Sequence, residues 1–336
     1  MVRTARVERM MLMRAQESSE NVHRKEAKPI IIDRGNEIYS VAVLADGKHF
    51  VSGDVEGKIR RWRIKDGKEV GTAMDAMSFV LNVAVSQDGK WIVSGTRWGW
   101  VMVWNAETHS KVSEFTAHAD DVRAVDVSPD ATKIVTGSTD LTACVWSLST
   151  SKPLLGPLKH IYWVVAAKFS PDGRLFATAT YKRNSVRVYD SQNGTLLVNF
   201  PVNVYSSYNH NHSLAWTSDN KHLFVLSHGY IHRVDVSTGT TLSEWHIHSS
   251  DSLTSVALAS NGTFIAVSAH SSVSFWDTTS EEQIGAVIEY PHAISSMAMS
   301  SNYDLVTSGY NIISLQALRG TLSSHYLYNV SVSALI

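Results

Sequence analysis

Residues 117–147 read AHADDVRAVDVSPDATKIVTGSTDLTACVWS. The runs "VRAVDV" and "KIVTGS" alternate in polarity on either side of a Pro129-Asp130 break, and a second break at "STDLT" leads into "ACVWS". Period-two alternation puts every other side chain on a core-facing side, and Pro, Asp, Ser and Gly mark where an extended chain reverses. The stretch therefore predicts short antiparallel strands joined by tight turns.

Working outward, the same phrase recurs. "VAVLADGKHFVSGDVEGKIRRW", "VAVSQDGKWIVSGTRWGWVMVW", "AKFSPDGRLFATATYKRNSVRVY" and "VALASNGTFIAVSAHSSVSFWD" superimpose on it. Turn residues Asp46, Asp88, Asp130 and Asp172 are spaced by 42, followed by Asp219 after 47, Asn261 after 42 and Asn302 after 41. Each unit adds a weaker fourth run, such as "KVSEFTA", "TLLVNFP" or "TLSEWHI". Seven units of four strands at a period near 42 predict an all-β, seven-bladed β-propeller of four-stranded antiparallel blades, since a sandwich has no reason to repeat its turns so regularly.

The units resemble WD40 repeats, and the likeness runs from about Pro29 to Leu322. The unit quoted first carries it best, with His118, Thr136, Asp140 and Trp146 at the family's polar positions. The resemblance implies that these four side chains form a buried hydrogen-bonded chain, which stabilises only when every member is satisfied. Elsewhere the pattern decays. Unit one has Glu56 for Asp, unit two has Trp98 there and no aligned His, and unit four keeps His160 and Thr178 with Tyr189 for Trp. Units five and seven carry Val234 and Leu315 at the Trp position.

Three segments follow: residues 1–28 as a polar extension, helical or disordered, 29–322 as the propeller, and 323–336 as a tail of unassigned role. WD40 propellers commonly close by lending an N-terminal strand to the last blade. "KPIIID" is assigned that role at Pro29 to Asp33, and the apolar "SSHYLYNVSVSALI" is its competitor.

Composition narrows the function. Lys and Arg total 30 against 31 Asp and Glu, so no global charge points to nucleic acid or a membrane surface. Cys144 is the single cysteine, which removes an intramolecular disulfide and favours a reducing compartment. No run is long enough to span a membrane and no secretory leader precedes the units, so an intracellular location is expected, cytoplasmic or nuclear.

No recognisable catalytic motif occurs: no phosphate-binding Gly loop, nucleophile elbow or Cys-His pair. His210 with His212 and His246 with His248 have strand spacing for a metal, but they lie near loops without a third ligand, so neither metal nor cofactor is expected. "KIRRWRIKDGK", residues 58–68, splits its charges between two strand faces and reads as a solvated rim before it reads as a phosphate track. The alternatives kept are a propeller hydrolase or lactonase and, more weakly, a nucleic-acid-binding propeller.

What remains is a non-catalytic scaffold or adaptor for proteins or peptides. A rigid ring suits docking because little freedom is lost on binding, and in the family the face bearing the inter-blade loops and the turns between second and third strands is the usual contact surface. The positions implied are Tyr39, Phe79, Leu81, Arg97, Trp98, Trp100, Asp121, Arg123, Tyr162, Trp163 and His210. Trp98 and Trp100 are singular, two large rings where the pattern calls for Asp and Thr. Trp98 has two readings, a binding residue or a ring packed on the neighbouring blade, whereas Trp100, which starts a strand, is expected in the core.

Overall fold

A computed structural model describes residues 28–181, 186–200, 214–227, 229–247 and 253–327. Their strands form seven four-stranded antiparallel sheets. Blades 1 to 6 are each built from four consecutive strands, beginning at Ile38, Val80, Val122, Val164, Leu214 and Leu253. The innermost strands contact one another in chain order, and the last returns to the first, so the sheets close into a ring. Blade 7 has three strands of its own, Ser296–Met299, Asp304–Gly309 and Ile312–Ala317. Ile30–Asp33 completes it by pairing antiparallel with the third, Ile30 opposite Leu315 and Asp33 opposite Ile312.

The periodic turn acid has a local cause. Its carboxylate or amide oxygen accepts the backbone N–H two residues on: Lys48 to Asp46 at 2.8 Å, Lys90 to Asp88 at 3.1 Å, Thr132 to Asp130 at 3.1 Å, Thr263 to Asn261 at 3.2 Å. This side-chain mimic of a turn is why Asp and Asn recur at these positions. The small residue in "VSG", "VSG" and "VTG" has a tertiary cause. A Cβ on Gly53, Gly95 or Gly137 would collide with Val80, Val122 or Val164, the first residue of the next blade's inner strand.

The core lies between blades. Val51, Ile59 and Met74 of blade 1 pack on Val80, Val83, Ile92 and Trp104 of blade 2, and equivalent clusters repeat around the ring. Side chains also stitch the inner strands together. Asn82 Nδ2 donates to Ser40 Oγ at 3.2 Å while Asn82 Oδ1 accepts Val125 N–H at 2.9 Å. The seam is tied the same way, Val41 N–H donating to Ser296 Oγ at 3.1 Å. After the last strand the chain forms a short helix, Ser324–Leu327, with Leu322 and Leu327 buried among blades 6 and 7. Asn261 Nδ2 donates to Tyr326 O at 2.9 Å. Closure of the ring thus belongs to the segment before blade 1.

Candidate partner-binding face

The antiparallel blades give the ring two ends. The upper one gathers the loops between blades and the turns joining second to third strands. The lower one gathers the Asp and Asn turns.

Blade 3 shows how the upper end is held. His118 Nδ1 donates to Asp140 Oδ2 at 3.0 Å, His118 Nε2 lies 2.7 Å from Thr136 Oγ1, and Trp146 Nε1 donates to the same hydroxyl at 2.9 Å. Asp140 also accepts the N–H groups of Ala119 and Thr142, both at 3.0 Å. Burial by itself would raise the Asp140 pKa, but the bonds from His118 and Thr142 prevail and hold it well below the usual carboxylate range. Partial copies persist where the sequence decays. Trp62 donates to Ser52 at 2.9 Å and Trp104 to Ser94 at 3.1 Å. In blade 4, His160 Nδ1 donates to Leu158 O at 2.9 Å, which leaves Nε2 as acceptor for Thr178 Oγ1 at 3.0 Å. Burial, helped by Arg187, pushes that imidazole down to about 4.

In blade 2 the Asp position belongs to Trp98. Residues Arg97–Gly99 make a single 3-10 turn in which Trp98 adopts φ +71° and Gly99 φ +84°. The turn is fastened through its backbone: Gly99 O accepts the N–H groups of Ala117 at 2.8 Å and His118 at 3.2 Å, and Arg97 N–H donates to Phe79 O at 2.9 Å. The Trp98 ring is left 66% exposed. Arg97 lies 5.2 Å from the centroids of both Phe79 and Trp98, a cation held between two aromatic rings. Phe79 and Trp100 are also exposed.

Two expectations need correction. Trp100 is not a core residue: it is 37% exposed, because strand Trp100–Asn105 begins at the upper rim, beyond the inter-blade core that encloses Val101 to Trp104. Leu81 is not on the surface but 4% exposed. The pairing of inner and second strands skips one residue near the start of five blades, between Ile38 and Ser40, Val80 and Asn82, Val122 and Ala124, Val164 and Ala166, and Leu253 and Ser255. Tyr39, Leu81, Arg123 and Val165 are the bulged residues of the first four, and a bulge re-aims the side chain of its extra residue. Whether that residue reaches solvent then depends on its length. Tyr39 and Arg123 are half-buried, Leu81 and Val165 buried.

Asp121 accepts from Arg123 at 3.1 Å and faces the Trp98 N–H at 3.4 Å. Burial, followed by Glu37, raises the Tyr39 pKa against the opposing influence of Arg123 and Arg97, which places these groups in one electrostatic neighbourhood. Tyr162 and Trp163 are half-buried, and Trp163 stacks on Tyr181 at 5.5 Å rather than continuing an open apolar surface. His210, His212 and His248 lie outside the described residues. Sequence reasoning missed Met77, 83% exposed, and Ile161, 74% exposed; their location in loops just ahead of inner strands was the available signal.

The basic stretch is largely neutralised. Lys58 pairs with Asp75 at 2.5 Å, Arg63 with Asp66 at 2.9 Å, and Arg60 with Asp54 and Glu69. Among the described residues no group of three or more His, Cys, Asp or Glu is placed to hold a metal, and no helix is long and apolar enough to cross a membrane.

A comparison with curated proteins finds no significant match. Among solved structures, the chain is similar to one described as "Crystal structure of RRP9 WD40 repeats", with TM-score 0.76 and 18% identity, covering 86% of this chain and 97% of that one. It is also similar to one described as "Structure of U3-55K", with TM-score 0.75 and 18% identity, covering 88% of this chain and 100% of that one. At such identity these likenesses speak for the fold alone. The family described as "WD domain, G-beta repeat" matches residues 28–63, 68–105, 109–147, 154–190 and 239–277, together more than half of the sequence. With seven closed blades and the His118–Thr136–Trp146 chain in the third, the protein belongs to the WD40-repeat family.

Proposed function

We propose that this propeller is a non-catalytic scaffold that docks a protein or peptide on its upper face, with Trp98 as the central anchor. The observation that carries the reading is where large apolar side chains are exposed. Six of them, Ile31, Val112, Leu154, Leu196, Leu197 and Leu242, are scattered on outermost strands. The other eight lie at the upper end: Met77, Phe79, Trp98, Leu141, Ile161 and Tyr310 in its loops and turns, Trp100 and Tyr230 as the first residues of strands that start there; the lower turns have none among the described residues. Exposed apolar surface concentrated at one end of a rigid body is characteristic of an interaction site. Trp, Tyr and Arg are the residues enriched where binding energy concentrates.

Within that face the densest group is Met77, Phe79, Arg97, Trp98 and Trp100 of two consecutive loops, beside the Asp121–Arg123 pair. Truncating a central aromatic anchor of such a group is expected to cost roughly 2 kcal/mol or more of binding. The test is affinity capture from the native cell with wild type and Trp98→Ala. Loss of the principal partner from a variant that keeps its melting temperature supports the reading; retention at wild-type affinity rejects it.

A further inference from the structure

The lower face holds a concave feature at the seam of the ring. Between the closing strand, blade 7 and blade 1 lies a recess of about 630 Å³, within the range of small-molecule sites. Its apolar wall is Ile30, Ile64 and Leu315. Ile30, half-buried, is the open part of this wall, and Ile64 and Leu315 behind it are buried in the core cluster that joins blades 7 and 1.

Charge at the recess is predominantly positive. Lys28, Lys48 and Lys65 are exposed at its lining, and their ammonium groups pair with no carboxylate among the described residues. The remaining ionisable groups are occupied. Arg63 is bound to Asp66 at 2.9 Å, His49 Nδ1 is 2.6 Å from Asp46, and Asp304, the single acid in the lining, accepts from the neutral hydroxyl of Ser300 in its own turn at 3.2 Å, which leaves its charge in place. Three lysines set against one acid leave the recess net positive among the described residues, and a net positive recess attracts a counter-charge. A purely polar anion would leave the open face of Ile30 against water, and a neutral apolar molecule would leave the net positive charge without a counter-charge.

The geometry points to a binding site for an anionic amphiphile, a molecule with a compact apolar body and one carboxylate, sulfate or phosphate head. The body lies against Ile30, backed by Ile64 and Leu315, and the head is met by Lys28, Lys48 and Lys65. The site is independent of the upper face. It exists because ring closure brings the segment before blade 1 against blade 7, which sets Lys28 at the same recess as Lys48 and Lys65 of blade 1.

Calorimetric titration of the full chain with decanoate, with decyltrimethylammonium as the same body of opposite charge and acetate as the head alone, tests the assignment. Decanoate is expected to bind saturably at one per chain, at least about tenfold more tightly than decyltrimethylammonium, with acetate not binding. Lys48→Glu with Lys65→Glu, at exposed positions, should weaken decanoate about tenfold, the scale of losing two close charge interactions. Equal binding of both amphiphiles, an unchanged affinity in the double variant, or no saturable decanoate binding would each overturn the proposal. The comparison of ligand charge on the wild type decides the matter even if the double variant misfolds.

Discussion

The backbone N–H of Trp98 in blade 2 points at Asp121 Oδ1 of blade 3, 3.4 Å away. The turn that replaced a polar network with an indole is therefore still fastened to its neighbour, through main chain instead of side chain. Asp121 in turn holds Arg123, so the turn, the loop before blade 3 and a bulged inner-strand residue form one unit.

Because the Trp98 ring is 66% exposed, folding does not depend on it. Trp98→Ala should change stability by no more than about 0.5 kcal/mol in urea denaturation. Trp98→Gly should be equal or slightly more stable, since φ +71° strains any side chain. A large loss of stability in both would make Trp98 a packing residue.

Gly99 beside it is the opposite case. At φ +84°, an added Cβ would collide with the His118 carbonyl oxygen. Gly99→Ala should lower stability by roughly 1–3 kcal/mol. Because that carbonyl belongs to the blade 3 histidine, perturbed His118 imidazole resonances should accompany the loss. A variant with wild-type melting and unchanged His118 resonances would show that the turn adapts freely.

Removing Asp140 takes the carboxylate from His118 Nδ1, which keeps only Thr142 Oγ1 at 2.9 Å, and leaves the N–H groups of Ala119 and Thr142 without their acceptor. Asp140→Ala should cost about 1–3 kcal/mol. Glu56→Ala, at the equivalent but exposed position of blade 1, should be near neutral, because Asp54 accepts the turn's N–H groups from Glu56 and Lys58 there. Matched thermal melts of the two variants check the difference.

His160 makes stability depend on pH. Its folded pKa of about 4 lies below the ordinary 6.5, because burial and Arg187 disfavour the imidazolium. The unfolded chain therefore binds the extra proton first as pH falls. The contribution is full above pH 6.5 and is lost progressively toward pH 4, amounting to roughly 3 kcal/mol. His160→Gln should flatten the stability profile between those pH values; an unchanged slope would assign the acid sensitivity elsewhere.

Deleting the chain through Asp33 removes the strand paired to Ile312–Ala317 and leaves that strand as an unprotected edge. Light scattering should report self-association of this truncation at concentrations where the full chain is monodisperse. A monodisperse, fully folded truncation would show that blade 7 does not need its fourth strand.

The sequence by itself determined the fold class and the blade count. Both are written locally: Asp46, Asp88, Asp130 and Asp172 bond their own backbone two residues on, and that chemistry repeats wherever the turn does. The His118 chain was legible for the same reason, since one complete unit contains all four members. Tertiary structure alone decided which terminus closes the ring, because "KPIIID" and the C-terminal tail were comparably apolar and only pairing with Ile312–Ala317 separates them. It also decided exposure at the upper face. Leu81 and Trp100 exchanged their expected places because a bulge and a strand end, set by contacts between neighbouring blades, determine which side chain reaches solvent. Hydrophobicity along a chain records which residues favour burial; which of them a closed ring has room to bury depends on the blades beside them.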